Sequence, residues 1–564
     1  MTKLKKGQAS ILWALIGALF FIPFLGGVHL FDWDEINFAE ISREMIAQGD
    51  YLRVSIDYEP FFQKPPLFFW FQVLAMKVFG VNEFAARLPN AICGSITLVL
   101  LFNLGQKLYD TRFGHLWALV YLGTVLPFLY FKSGIIDPYF NLFIFLGLYY
   151  VILYYWKKEQ FSIPLRHSKW TYLLLSGLFL GLGVLTKGPV AFLLASLALF
   201  VYWVYQRFRF YITVPAYLLL TFVAFLLTAA WFGVETLING PAFVKAFIDY
   251  NIELATTESA GHGGFPGYHF VVMLLGCFPA SIFAIRAFGK LKPAAKDYQN
   301  DFRIWMKYLF WVVIILFSIV ESKIVHYSSL CYYPLTFLAA LVIRQLLLKH
   351  IPYKRWMNVL LISVASLYLL LIVAIPLAAP YIEQIKPMID DPFAKANLEA
   401  AVNWTGWEVL PALLLAVIIG VYLRHLRNNG PSQKAFNWLF GGMTFFVLLT
   451  LIFFIKRVEG YSQRANLEFF KSLQGETAYV YTYGYKSYAH LYYSDKAPDP
   501  ASAIRSIPEK ERQEWLLTGD IDRPVYFSVR VHRAERLRTL PQFEELYAKN
   551  GFVFFKRTPD SRLQ

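Results

Sequence analysis

Long apolar runs, each about the length of a bilayer crossing, alternate along this chain with short polar breaks. A helix rises about 1.5 Å per residue, so roughly 20 apolar residues cross the hydrocarbon. On that basis residues 10–28, 86–105, 113–131, 138–156, 170–186, 189–205, 211–232, 268–287, 304–321, 327–347, 356–379, 408–425 and 438–455 predict thirteen crossings. The stretch from Trp170 to Tyr205 is too long for one span. Lys187-Gly188-Pro189 divides it into two helices joined by a tight hairpin. The first run follows Lys3, Lys5 and Lys6 and has no small-residue cleavage site, which reads as a retained helix rather than a signal peptide.

Two stretches break this pattern and divide the chain into a transmembrane domain over 1–456 and a soluble domain over 457–564. Within the first, residues 29–85 form a polar and aromatic loop. Its segments Glu35–Gln48 and Leu67–Phe79 have amphipathic character and are expected as short helices along the membrane interface. In the second, Ala478–Tyr483, Pro524–Val529 and Phe552–Phe555 read as strands, and Gln463–Leu473 and Glu509–Leu517 as helices, giving a small α/β domain.

Charge orients the spans. With the N-terminus in the cytoplasm, the basic residues between Lys107 and Arg112, Lys157 and Lys169, Arg286 and Arg303, and Arg344 and Arg355 all fall inside. After the second span the opposite connections carry few, so the positive-inside rule is met. The segment after Ile455 then lies outside, as do five polar breaks: Asp34-Glu35, Gln63-Lys64-Pro65-Pro66, Asp137-Pro138, Lys187-Gly188-Pro189 and Ser322-Lys323. A charge beside a membrane span is costly unless compensated, so each break is a functional-site candidate, and a shared face makes them one site.

Composition agrees. The 564 residues are 57% hydrophobic, 18% aromatic and only 16% charged, far from soluble globular usage. The net charge of +15 is dispersed between apolar runs rather than drawn into a stripe, which argues against a nucleic-acid partner. Cys93, Cys277 and Cys331 lie far apart in apolar sequence and suggest neither a disulfide framework nor a metal site.

Asp34-Glu35, Lys64-Pro65-Pro66-Leu67, Asp137-Pro138, Leu185-Thr186-Lys187-Gly188-Pro189, Gly276-Cys277-Phe278-Pro279 and Ser322-Lys323 with Tyr327 occur in this order along nearly the whole chain. In this the chain resembles bacterial aminoarabinose transferases and the related dolichyl-phosphate-mannose protein mannosyltransferases. The resemblance implies an α-helical integral membrane protein of GT-C type with a small C-terminal α/β domain in the periplasm. It also implies a polyprenyl-phosphate-linked sugar donor and a lipid acceptor such as lipid A, at the inner membrane. A protein acceptor, as in the mannosyltransferases, and a lipid-linked sugar flippase are the alternatives.

The chemistry such a reaction needs matches the residue types. When a glycosyl polyprenyl phosphate releases its sugar, the leaving phosphate gains negative charge, and cations there bind the transition state more tightly than the ground state. Lys64, Lys187 and Lys323, with Tyr327, are the candidates for that role; a snorkelling interfacial lysine is the plain alternative for each. A carboxylate beside the anomeric carbon orients an acceptor, deprotonates it, or faces positive charge on the sugar, and Asp34 leads for this. Glu35 is a candidate sugar ligand, and Asp137, ahead of Pro138, serves either substrate or helix capping. Under the resemblance His262 stands where a metal-binding histidine is expected. Its partner there is a glutamate, which here is Gln63. A divalent-metal cofactor is therefore not established by the sequence, and the glycine-rich segment around His262 reads equally as a lid.

Overall fold

The computed structural model describes residues 6–256, 263–499 and 501–559. The chain is a helical membrane protein capped at one end by a mixed α/β domain. In order, the helices are α1 (Lys6–Phe21), α2 (Asp34–Gln48), α3 (Leu67–Phe79), α4 (Glu83–Leu108), α5 (Thr111–Leu122), α6 (Val125–Tyr130), α7 (Asp137–Lys158), α8 (Lys169–Lys187), α9 (Val190–Tyr205), α10 (Val214–Asn239), α11 (Ala242–Thr256), α12 (Tyr268–Gly276), α13 (Ala280–Ala287), α14 (Asp297–Ile319), α15 (Tyr332–Leu347) and α16 (Arg355–Ala378). Leu410–Asn429 and Gln433–Ser462 are the last long helices. The expected boundary at 456/457 falls inside Gln433–Ser462.

Among the described residues nine helices are long and apolar enough to cross a membrane, and the pair α12 and α13, bent by 119°, makes a tenth. The other three expected spans take different forms. Residues 10–28 and 189–205 appear as the 16-residue helices α1 and α9. The run 113–131 is broken at Gly123 into α5 and α6. Gly123 packs directly against the backbone of Gln433–Ser462: a Cβ there would clash with the Phe440 carbonyl oxygen, so only glycine fits at the break. The two broken spans also dock on each other, Val125 N–H donating to the Phe278 carbonyl at 3.2 Å. Backbone groups freed by a break at membrane depth must find such partners, since lipid offers none.

The hairpin at Lys187-Gly188-Pro189 forms as expected. Gly188 takes φ +105, a conformation that an L side chain resists, and Pro189 opens the next helix. Tight contact between α7 and α8 fixes the height of Lys187. A Cβ on Gly147 would meet Leu180 Cδ2 at 2.5 Å, and Ser176 Oγ donates to the Gly147 carbonyl at 2.7 Å. The start of α7 and the end of α8 thus share one end of the bundle. The basic segment Lys157–Lys169 lies at the other, about 33 Å away over a 22-residue helix.

The expected interfacial helices 35–48 and 67–79 are formed, but α2 is interior rather than interfacial: every residue from Glu35 to Met45 is buried. Its polar side chains are matched inside. Arg43 donates to Glu40 (2.8 Å), to Asp495 (3.1 Å) and to the Lys496 carbonyl (2.8 Å), the last two on the C-terminal domain. A short hairpin, β1 (Ser55–Ile56) with β2 (Glu59–Pro60), follows α2. The C-terminal sheet has the order β3 (Tyr479–Tyr483), β4 (Val525–Arg530), β6 (Phe552–Arg557), β5 (Glu544–Lys549), with β3 and β4 parallel and the rest antiparallel. The three expected strands are there. The missed one, β5, is an edge strand whose charged residues are largely exposed, so it lacks the alternation that reveals a strand.

Candidate active site

The polar end of the bundle and the C-terminal domain enclose a cavity of about 1190 Å³. Asp34 and Glu35, at the first turn of α2, line it together with Gln63, Tyr250 and His326. His326 Nε2 lies 3.8 Å from Asp34 Oδ2. The segment carrying His326 and Tyr327 is a single 3-10 helix, Val325–Cys331, held to α7 by Asn141 Nδ2 donating to Ser329 Oγ at 2.7 Å.

Behind Asp34 lies the second part of the site. Lys187 Nζ is 2.7 Å from Asp137 Oδ1, and its ammonium sits 5.5 Å from the ring centroids of both Phe140 and Tyr327. Asp137 Oδ2 is buried and accepts no hydrogen bond. Lys64 reaches in from the loop before α3 with its ammonium 5.0 Å from the Tyr250 ring, within Coulombic range of Lys187, Asp34 and Asp137. Burial, reinforced by the Lys187 ammonium, pushes the Lys64 amine down to about 8, although Asp34 and Asp137 oppose the shift. The two ammonium groups repel each other, a cost that an anion nearby would offset.

Glu35 is positioned differently. Burial alone disfavours its charge, but Arg87 donates to it at 2.9 and 2.7 Å, as do the Phe31 and Gly134 backbone N–H groups at 2.9 and 2.6 Å. Together they hold the carboxyl below the usual range. With both oxygens engaged, Glu35 ties α2 to α4 and to the loop before α7. Lys323 also has local partners, donating to the Ser318 carbonyl at 2.8 Å and to those of Phe317 and Val320. It therefore closes the C-terminal end of α14.

The sequence thus placed Asp34, Lys64, Asp137, Lys187 and Tyr327 in a cluster that the fold assembles, with Gln63 at its edge. It missed Arg87, Tyr250 and His326, as well as Lys132, whose ammonium donates to the Phe21 carbonyl at 3.2 Å and to that of Pro23. His262 lies outside the described residues. As for a metal, Gln63 presents a neutral carboxamide where a carboxylate would be the stronger donor. Among the described residues no group of three His, Cys, Asp or Glu side chains converges. The described residues fit a divalent cation poorly.

The family model for dolichyl-phosphate-mannose-protein mannosyltransferase matches residues 63–232. A relative in Aeromonas hydrophila, undecaprenyl phosphate-alpha-4-amino-4-deoxy-L-arabinose arabinosyl transferase, is 28% identical over 339 residues. The match takes in 58% of this chain and 59% of that protein. The enzyme of the same name in Aeromonas salmonicida is 28% identical over 342 residues, with 58% and 59% covered. Among solved structures, ArnT from Cupriavidus metallidurans bound to undecaprenyl phosphate superposes with a TM-score of 0.75 at 16% identity, covering 98% of both chains. The chain has the GT-C membrane fold of ArnT. The apo ArnT structure gives 0.73 at 18% identity, again with 98% of both chains covered. The resemblance drawn from the motifs is therefore found again in aligned sequence and in fold. The aligned sequence spans about six-tenths of the curated relatives' length.

Proposed function

We propose that this protein is a membrane glycosyltransferase. It moves a sugar, 4-amino-4-deoxy-L-arabinose by analogy with its relatives' names, from a polyprenyl phosphate to a lipid acceptor such as lipid A. The observation that carries this reading is the cluster beside the cavity lined by Asp34 and Tyr250: Lys187 held 2.7 Å from Asp137, and Lys64 with its ammonium 5.0 Å from the Tyr250 ring. The active end of the bundle is the periplasmic face of the inner membrane, opposite the basic segment Lys157–Lys169.

In this reaction the bond between the anomeric carbon and the donor phosphate oxygen breaks, and its electron pair stays on that oxygen. An acceptor oxygen supplies the pair for the new bond. The charge gained by the leaving phosphate is met by Lys64 and Lys187, with Asp137 and Tyr327 fixing the Lys187 ammonium. Asp34 faces the positive charge that develops on the sugar, with the His326 ring 3.8 Å from its carboxylate. An acceptor phosphate arrives already anionic and needs no strong base, so Asp34 positions rather than deprotonates. Glu35 and Arg87 keep the first turn of α2 in place. No step is assigned to a metal.

Mass spectrometry of lipid A and of surface glycans from cells with and without the gene tests the reading. Loss of a pentosamine increment from lipid A is the expected result. Unchanged lipid A with loss of hexose from proteins would instead favour a protein mannosyltransferase, the reading that the match over 63–232 supports.

A further inference from the structure

The cavity has a second cationic region that the donor chemistry leaves unused. Along Gln433–Ser462, Leu448, Leu451, Ile452 and Ile455 line the cavity. Their spacing of 0, 3, 4 and 7 puts them on one helix face, an apolar stripe. At its upper end the next lining residues are Lys456 on the same helix and Lys486 and Arg530 from the C-terminal domain. None of these three cations is ion-paired to a carboxylate among the described residues.

Lys486 and Arg530 are instead held by aromatic rings. The Lys486 ammonium lies 5.2 Å from the Trp33 ring and 5.9 Å from Tyr488. The Arg530 guanidinium lies 4.6 Å from Phe393 and 5.0 Å from Tyr485, and its buried Nε has no hydrogen-bond partner. Rings orient a cation without neutralising it, so the charge remains for a ligand. Asp32 also lines the cavity, interacts electrostatically with Arg530 and hydrogen-bonds Ser487. One carboxylate against three cations leaves the rim positive. An apolar stripe ending in unneutralised cations matches an amphiphile with acyl chains and an anionic headgroup.

Resting on the lipid-acceptor reading above, we propose that Lys456, Lys486 and Arg530 form an acceptor subsite. It holds a second anionic group of the lipid headgroup, separate from the oxygen that receives the sugar, while the stripe on Gln433–Ser462 carries an acyl chain. The C-terminal domain then sets acceptor specificity, and the bundle supplies donor chemistry.

The test is a direct binding measurement on the full chain in nanodiscs, which needs no turnover. The probes are a bisphosphorylated, acylated glucosamine disaccharide, its monophosphorylated form, and undecaprenyl phosphate. The wild type should bind the bisphosphorylated lipid about tenfold more tightly than the monophosphorylated one, the order expected for charge-assisted contacts. Lys486→Gln with Arg530→Gln should erase that preference and leave undecaprenyl phosphate binding within about twofold. Lys486→Gln alone, at an exposed position, should reduce the preference about threefold, which covers the case in which the double variant misfolds. A wild type with no preference, a Lys486→Gln variant that keeps all of it, or equal losses for both lipid classes would each overturn the proposal. Failure of sugar transfer would appear in the transfer assay and leave this binding result readable on its own.

Discussion

Under the proposed function, Lys64 should make donor use fall with pH in a range where an ordinary lysine site does not yet titrate. A free lysine amine keeps its proton to pH 10.5, but Lys64 gives it up near 8 because burial and Lys187 both penalise the ammonium. At 1.36 kcal/mol per pH unit, that displacement amounts to about 3 kcal/mol, an upper bound because Lys64 is only partly buried. A donor phosphate offsets the same penalty when it binds. In the free enzyme the protonated fraction falls from about nine-tenths at pH 7 to about one-tenth at pH 9, so kcat/KM for the donor should drop about tenfold across that interval. The assay is sugar transfer by the purified, lipid-reconstituted protein at donor concentrations below KM, from pH 6 to 9.5. Lys64→Arg should be slower at pH 7 but flat to 9.5, because a guanidinium keeps its proton throughout. A flat wild-type profile, or the same fall in Lys64→Arg, would refute the reasoning and assign the ionisation elsewhere.

Asp34→Asn should cut turnover by about 10²- to 10⁴-fold with undecaprenyl phosphate binding intact, and near-normal turnover would remove Asp34 from the chemistry. Arg87→Met leaves the buried Glu35 carboxylate unpaired and should cost about 3–5 kcal/mol in thermal unfolding. Arg87→Met with Glu35→Leu should be less destabilised than Arg87→Met alone, and a double variant no more stable than the single would count against the pair as described. Transfer should survive exhaustive chelation, since the lysines supply the positive charge and Gln63 is a weak metal donor; complete loss that zinc, magnesium or manganese restores would return His262 to a ligand role. Single cysteines at Gln63 and Ser462 should react with an impermeant thiol reagent in spheroplasts while one at Gln160 does not, and the reverse pattern would invert the topology.

Part of the site was legible because isolated charges in apolar sequence are costly and stand out. Asp34, Lys64, Asp137 and Lys187 each interrupt or flank a hydrophobic run; Lys64 and Asp137 directly precede a proline, and Lys187 lies two residues before one. Arg87 was hidden because it falls at the edge of a long span, where one basic residue reads as an orientation charge. Its pairing with Glu35, 52 positions away, exists only in the fold. His326 and Tyr250 sit in aromatic stretches that look like ordinary packing. Lys323 marks the opposite error. A polar break pointed to chemistry, yet its ammonium is taken up by carbonyls of its own helix end. The burial of α2 was unreadable for a related reason. Its amphipathic pattern describes a surface helix, and partners distant in sequence, Arg87 for Glu35 and Asp495 and Lys496 for Arg43, let its polar face go inside.

The proposed transfer of a sugar from a polyprenyl phosphate to a lipid is measured most directly in isolation. Purified protein in liposomes would be given an undecaprenyl-phosphate-linked aminopentose with lipid A, and the products read by mass spectrometry. Lipid A heavier by one aminopentose is expected, with undecaprenyl phosphate released in equal amount and both products lost in Asp34→Asn. Unmodified lipid A and an intact donor, from protein shown to bind undecaprenyl phosphate, would contradict it.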